Sequence, residues 1–287
     1  MINAIEIKGL VKKYDEKFQL GSLDLEIPSG IIVGLIGENG AGKTTLIKSI
    51  LNIINTDEGI IKIFGKDYKK YEKAIKEDIG VVLDNMFFPE LLSAKDINSI
   101  MRDTFKNWDC ELYFKYLKDF DIPSDKQIKS LSKGMRKKLE IATALSHHPK
   151  LLILDEPTSG LDPVIRSEVL DIFLQFIQDE EHTVLLSTHI TSDLEHITDH
   201  IIFMDGGKKI LDKNRDDITD NYGVLKCDID YFDRIDKEDI IFYKKNKYDY
   251  QILVDNKSKI SLKYKDCIVD KITLEDLMIL MIKGEKI

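Results

Sequence analysis

Hydrophobic and polar positions alternate with the short period of strands early in the chain and with the longer period of helices further on. Residues 2–8, 20–27, 31–37, 59–64 and 79–83 read as β-strands. One helix interrupts them: TTLIKSILNII carries Leu46, Ile47, Ile50, Leu51 and Ile54 on one face. From residue 87 to about 149 the pattern is helical, with polar breaks at NWDC and DIPSDK, and reads as a helical insertion. Strand signals return at LLILD, TVLLST and IIFMDGGKKI, with a helix over 164–178 between the first two. Apolar runs alternating with helices predict a parallel sheet covered on both faces. After about residue 215, VLKCDID, IIFYKK, YDYQILV and KISLKYKD alternate like an antiparallel sheet, and TLEDLMILMIKGEK closes as an amphipathic helix. The expected organisation is an α/β domain over 1–213, with a helical subdomain at about 86–148, and a small α+β domain over 214–287.

Charge narrows the possible partners. The net charge of -9 argues against nonspecific attraction to nucleic acid, which needs positive surface to displace counterions. From Asn221 onward 13 basic residues balance 13 acidic ones, so the whole excess sits in the first 220 residues. Cys110, Cys227 and Cys267 form no C-x-x-C pair, which leaves no zinc ribbon or dithiol site spelled out and fits a reducing cytoplasm. The first residues lack the layout of a signal peptide, and no apolar stretch approaches the roughly 18 residues that span a bilayer.

Candidate chemistry begins at GENGAGKTTL, which fits G-x-x-x-x-G-K-[ST] and follows an apolar strand. Gly37, Gly40 and Gly42 let backbone N–H groups turn toward phosphates, Lys43 reaches the outer phosphates, and the Thr44 hydroxyl suits Mg²⁺. With glycine near 7% of residues, this pattern arises by chance in such a chain on the order of 1% of the time. LLILDEP supplies a second half: Asp155 is placed to hold Mg²⁺ through water, and Glu156 to polarise an attacking water. Phosphoryl transfer needs that positioning more than a covalent nucleophile.

Between these lies LSKGMRKKLEIATAL, and SGLD and STHI follow. Together, in this order, the motifs resemble the nucleotide-binding subunit of an ABC transporter over about residues 2–212, with an LSGGQ-like signature directly upstream of the second acidic motif. The resemblance implies a phosphate-loop cassette with a mostly parallel core sheet, an antiparallel β subdomain and a helical subdomain. It implies an ATP hydrolase using ATP and Mg²⁺, with Gly37, Asn39, Gly40, Ala41, Gly42, Lys43, Thr44 and Thr45 on the nucleotide and Tyr14 stacked on adenine. Ser132 and Gly134, which open a helix as a phosphate reader, would close on the ATP of a second cassette. His189 would contact the γ-phosphate beside Glu156 and Lys43. Partners implied are a separate membrane permease and a second cassette, with the chain peripheral on the inner face of the cell membrane. KGMRKK and the closing helix look like the motors of bacterial exporters of peptides, antibiotics or lipid-linked molecules.

Two departures stand out. Lys133 and Met135 replace a small residue and a Gln of the signature. Asp84 aligns with a Gln that binds Mg²⁺ by its carbonyl, so a carboxylate replaces an amide, and Asn85 offers an amide only after a one-residue shift. Arg136, Lys137 and Lys138 read as the solvated face of a helix, and His147, His148, His182, His196 and His200 as surface or packing residues. NKYD and DNYG have the form of GTPase motifs but stand in the wrong order. The roughly 110 residues between Thr44 and Asp155 leave no room for a long coiled coil. The missing coiled coil argues against a DNA-repair ATPase. One cassette with no membrane segment implies a pore on a separate polypeptide, so transport is preferred over a regulatory ATPase built on the same cassette.

Overall fold

The computed structural model describes residues 2–14, 18–84 and 88–286. The chain begins with β1 (Asn3–Lys13), β2 (Gln19–Pro28), β3 (Ile32–Ile36), α1 (Lys43–Ile50), β4 (Glu58–Ile63), β5 (Lys66–Asp67), α2 (Tyr68–Glu77) and β6 (Ile79–Val82). Three helices follow: α3 (Ala94–Thr104), α4 (Cys110–Asp119) and α5 (Lys133–Leu145). Then come β7 (Leu151–Asp155), α6 (Pro163–Phe176), β8 (Thr183–Thr188), α7 (Thr191–Ile197), β9 (His200–Asp205) and β10 (Lys208–Asn214). The last elements are α8 (Arg215–Asn221), β11 (Gly223–Asp228), β12 (Phe242–Lys245), β13 (Asp249–Val254), α9 (Lys257–Lys263), β14 (Ile268–Lys271) and α10 (Leu274–Lys283).

The central sheet has the order β10-β9-β3-β8-β7-β6, parallel except for the edge strand β10. Every residue of β3, β7 and β8 is buried, as continuous apolar runs require when both faces are covered. Alternate side chains serve the two faces. Ile32, Leu152, Leu154 and Val184 pack with α5, α6 and α7, whereas Val33, Leu35, Ile153 and Leu185 pack with α1 and the four-stranded antiparallel sheet β2-β1-β4-β5. Because β3, β7 and β8 are parallel neighbours, their carboxyl ends and following loops meet along one edge, where parallel sheets place ligands. Helices α3 to α5 enclose their own core around Tyr113, Ile97 and Leu139.

The third sheet, β12-β13-β11-β14, is antiparallel. Its helix α10 packs back onto α7, so Leu274, Leu277 and Leu280 join the apolar cluster of the central sheet. Several local expectations need correction. The helix after the loop stops at Ile50 rather than Ile54, because Asn52 is left-handed at φ 53°. A second helix, α2, was hidden because only Tyr68 and Ile75 of its ten residues are buried, too few for an apolar stripe. KISLK forms helix α9 and not a strand: its buried residue is Ile260, joined by Tyr264 four positions on, which is helical spacing. The fourth strand is instead IVDK, and α8 links β10 to β11. NKYD lies in the β12–β13 turn and does not line the pocket at the phosphate loop.

A hydrogen-bonded pair fixes the β9–β10 hairpin: His200 Nε2 lies 2.5 Å from Asp212 Oδ1. This bond is the main cause that raises the His200 pKa and lowers that of Asp212. The His200 contribution is complete below its ordinary value and fades as pH rises through the raised one. The Asp212 contribution is complete above its ordinary value and fades as pH falls. Asp212→Asn is therefore expected to cost about 1 kcal/mol between roughly pH 4 and 6.5 and less at higher pH. Denaturant unfolding at pH 5.5 and pH 9 checks this, and an equal cost at both would contradict it.

Candidate functional site

The phosphate loop leaves β3 at Gly37, where a Cβ would sit 2.4 Å from the Met204 carbonyl, so only glycine lets the loop pass. Gly42, at φ 104°, precedes α1 without any side-chain cap and leaves the first N–H groups of the helix free to face the loop. Lys43 folds back under the loop, with Nζ donating to the carbonyls of Gly37 at 2.7 Å and Glu38 at 3.3 Å. It is 6% exposed. Burial lowers its pKa, and the nearby Glu156 and Asp155 carboxylates oppose that shift.

Asp155 ends β7 and is almost wholly buried. One of its oxygens accepts from Thr44 Oγ1 at 2.9 Å and the other from the Ser187 hydroxyl. Glu156 takes a left-handed turn at φ 51°, a conformation that a non-glycine residue adopts at some cost. Its N–H donates to the Ser187 carbonyl, and its side chain lies between two partners. Oε2 is 2.8 Å from His189 Nδ1, and Oε1 is 3.8 Å from Lys43 Nζ. The parallel register sets these meetings, since Asp155 pairs with Ser187 and Ile36 with Thr188.

The resulting pocket has a volume of about 550 Å³. Tyr14, Asn39, Gly40, Gly42, Lys43, Thr44, Thr45, Asp84, Glu156 and His189 line it. Gly37 and Ala41 form the loop behind, and Asp155 sits beneath Thr44. Tyr14 is exposed with its ring 6.3 Å from that of Phe18. Ser132 and Gly134 do not line this pocket. They stand at the start of α5, where the Ser132 hydroxyl accepts from Met135 N–H and Gly134 abuts Ile165. Asn85 lies outside the described residues.

Sequence reading missed Phe18, Glu38 and Ser159 on the pocket wall, and Ser187 behind it. Glu38, Ser159 and Ser187 stood inside quoted motifs, GENGAGKTTL, SGLD and STHI, whereas Phe18 carried no signal. One reading is overturned. Lys137 is not on a solvated helix face but 7% exposed, paired with Glu140 and bonded to the Leu83 carbonyl. A larger hollow of about 1200 Å³ lies beside α4 and α6, but Asp119, Asp121, Glu168, Asp171 and Asp179 line it and would repel a nucleotide. Among the described residues no three His, Cys, Asp or Glu side chains are grouped to hold a metal ion by themselves.

Residues 20–159 match the ABC transporter family. Across 218 residues the chain is 30% identical to the ABC transporter ATP-binding protein YtrB of Bacillus subtilis, covering 76% of this chain and 74% of that protein. The chain belongs to the ATP-binding proteins of ABC transporters. The family's bacitracin transport ATP-binding protein BcrA of Bacillus licheniformis is 33% identical over 211 residues, covering 72% of this chain and 69% of its own length. Among solved structures, CbiO1 of Clostridium perfringens, part of the ABC transporter complex CbiONQ, superposes with a TM-score of 0.64 at 27% identity, covering 76% of this chain and 91% of that one. As a member of the family, the chain is an ATP-hydrolysing motor subunit of an ABC transporter. No helix of the described residues is long and apolar enough to cross a membrane.

Proposed function

We propose that two copies of this cassette sandwich two ATP molecules, each site pairing the phosphate loop of one copy with Ser132 and Gly134 of the other. The observation that carries this reading is the split between two half-sites. Lys43, Glu156 and His189 converge on one pocket, while Ser132 and Gly134 stand at a helix start away from it. Lys43 and the loop N–H groups hold the phosphates. Glu156 accepts the proton of the attacking water, and His189 orients Glu156 and contacts the γ-phosphate. The cassette spans residues 1–213, its helical insertion about 86–148, and residues 214–287 form an accessory unit that packs on it through α10.

Mg²⁺ fits the donors present. Thr44 Oγ1 and the buried Asp155 carboxylate are hard oxygens 2.9 Å apart, and Asp84 adds a third at the pocket wall. Such an ion is held by one or two carboxylates together with the nucleotide's own phosphates, which agrees with the absence of an all-protein cage among the described residues. When bound, it would neutralise charge developing on the phosphoryl group.

Tyr14 stacks on the base. Tyr14→Ala is expected to raise the Kd for ATP roughly tenfold, with Tyr14→Trp close to the parent, because stacking on one base contributes on the order of 1–3 kcal/mol. Equal Kd values for all three in a fluorescent-nucleotide titration would remove Tyr14 from the site.

The cassette works at the inner face of the cell membrane, exporting a peptide, antibiotic or lipid-linked molecule. The likeness to a bacitracin transport protein supports that class. Purification of the tagged chain from detergent-solubilised membranes of its own cells tests it: a multi-span protein in fixed ratio is expected. Recovery of the chain alone or with soluble partners would contradict the reading.

A further inference from the structure

Helix α5 starts at the signature and carries a buried ion pair one turn later. Lys137 and Glu140 are 7% and 8% exposed. Lys137 Nζ lies 2.7 Å from Glu140 Oε2, at an angle that leaves that oxygen short of a hydrogen bond. The same ammonium donates to the Leu83 carbonyl at 3.1 Å. Leu83 follows the last residue of β6, an edge strand whose neighbour is β7, and it directly precedes Asp84 on the nucleotide pocket. Burial pushes the Glu140 carboxyl up, Lys137 opposes that, and the charge of Asp84 adds to it, so the three groups sense one another.

Stability alone does not call for this arrangement. A buried ion pair is often no better than an apolar pair of similar volume. A cavity of about 170 Å³ beside Glu140, walled by Val82, Leu83, Phe88 and His147, would tolerate apolar side chains there. What the pair adds is direction, because the ammonium meets the Leu83 carbonyl only while α5 keeps its register against β6. Gly80 brings the two elements that close: a Cβ there would sit 2.6 Å from the Ala144 carbonyl.

We propose that Lys137, held by Glu140, is a positioning residue that ties the signature helix to the peptide before Asp84. The phosphate reader offered to a second copy then moves with the carboxylate that faces the chain's own nucleotide. This rests on the two-copy reading above. The link gives a physical path between the two ATP sites, since each chain contributes Asp84 to one site and Ser132 with Gly134 to the other. Occupancy of one pocket shifts Asp84, and through Leu83 and Lys137 it shifts the half-site presented to the neighbour.

The test is ATP hydrolysis by the purified full-length chain across a range of ATP concentrations. Lys137→Met combined with Glu140→Leu removes the link and leaves no unpaired buried charge. Its Kd for ATP is expected to stay within about twofold, its kcat to fall about tenfold, and its Hill coefficient to drop from near 2 toward about 1. Lys137→Arg keeps both charge and donor and is expected within about threefold of the parent kcat. Parent kinetics in the double variant would overturn the proposal. So would a parent Hill coefficient of 1, or equal losses in the double variant and Lys137→Arg. A Glu156→Gln control separates the layers. An ATP-dependent dimer there, with parent kinetics in the double variant, rejects the link alone, while no dimer rejects the two-copy reading and the link with it.

Discussion

Glu156→Gln is expected to lower steady-state ATP hydrolysis by roughly 10²- to 10⁴-fold, the range for loss of a positioned general base, while ATP binding stays within a few-fold. The side chain is held 2.8 Å from His189 and 3.8 Å from Lys43, on a residue whose left-handed backbone aims it into the pocket. Glutamine preserves that shape and can still hydrogen-bond His189, but it cannot take a proton from water. Nucleotide then remains bound and unhydrolysed, so a dimer is expected to accumulate with ATP and not with ADP. Turnover assays with size measurement in each nucleotide check both halves. Undiminished turnover would remove Glu156 from the catalytic role.

Lys43→Met is expected to act earlier, on binding. The ammonium is buried among two loop carbonyls and two carboxylates, and burial already works against its charge. A triphosphate adds anionic oxygens to the Glu156 and Asp155 carboxylates that this buried cation already faces, and charge-assisted hydrogen bonds of this kind contribute about 1.5–3 kcal/mol each. Removing the charge also leaves Glu156 and Asp155 uncompensated, which repels phosphate. The Kd for ATP is expected to rise about 100-fold, with hydrolysis lost in parallel. Calorimetric titration measures the first. Unchanged affinity would mean that the loop N–H groups alone hold the phosphates.

Much of this architecture was legible because its signals are local. The buried run before Gly37, the apolar LLILD and the apolar centre of TVLLST announced three neighbouring strands, and parallel pairing then forced their following loops together. What escaped depended on contacts distant in sequence. Lys137 looked like one of three basic residues on a helix face, and only the packing of α5 against β6 turns it inward toward Leu83, 54 residues away. Ser187 closes on Asp155 through the register of β8 with β7, which no spacing within STHI encodes. In α2 and α9 the reverse holds. Each buries only one or two side chains, so neither leaves a stripe to read, and KISLK could have been either element until Ile260 and Tyr264 found a common core.

Complementation between two inactive variants decides whether one ATP site is built from two chains. Lys43→Met and Gly134→Asp variants can be prepared separately, the second placing a carboxylate where phosphate would be read and asking Ile165 to yield a few tenths of an ångström. Each alone is expected to be inactive. Mixed in equal amounts, they form a two-fold assembly in which half of the dimers carry one intact site, joining the loop of one chain to the signature of the other. Recovery of ATPase activity is therefore predicted, up to about a quarter of the parent if the sites act independently and less to the extent that they are coupled. A mixture as inactive as its components would contradict the shared site.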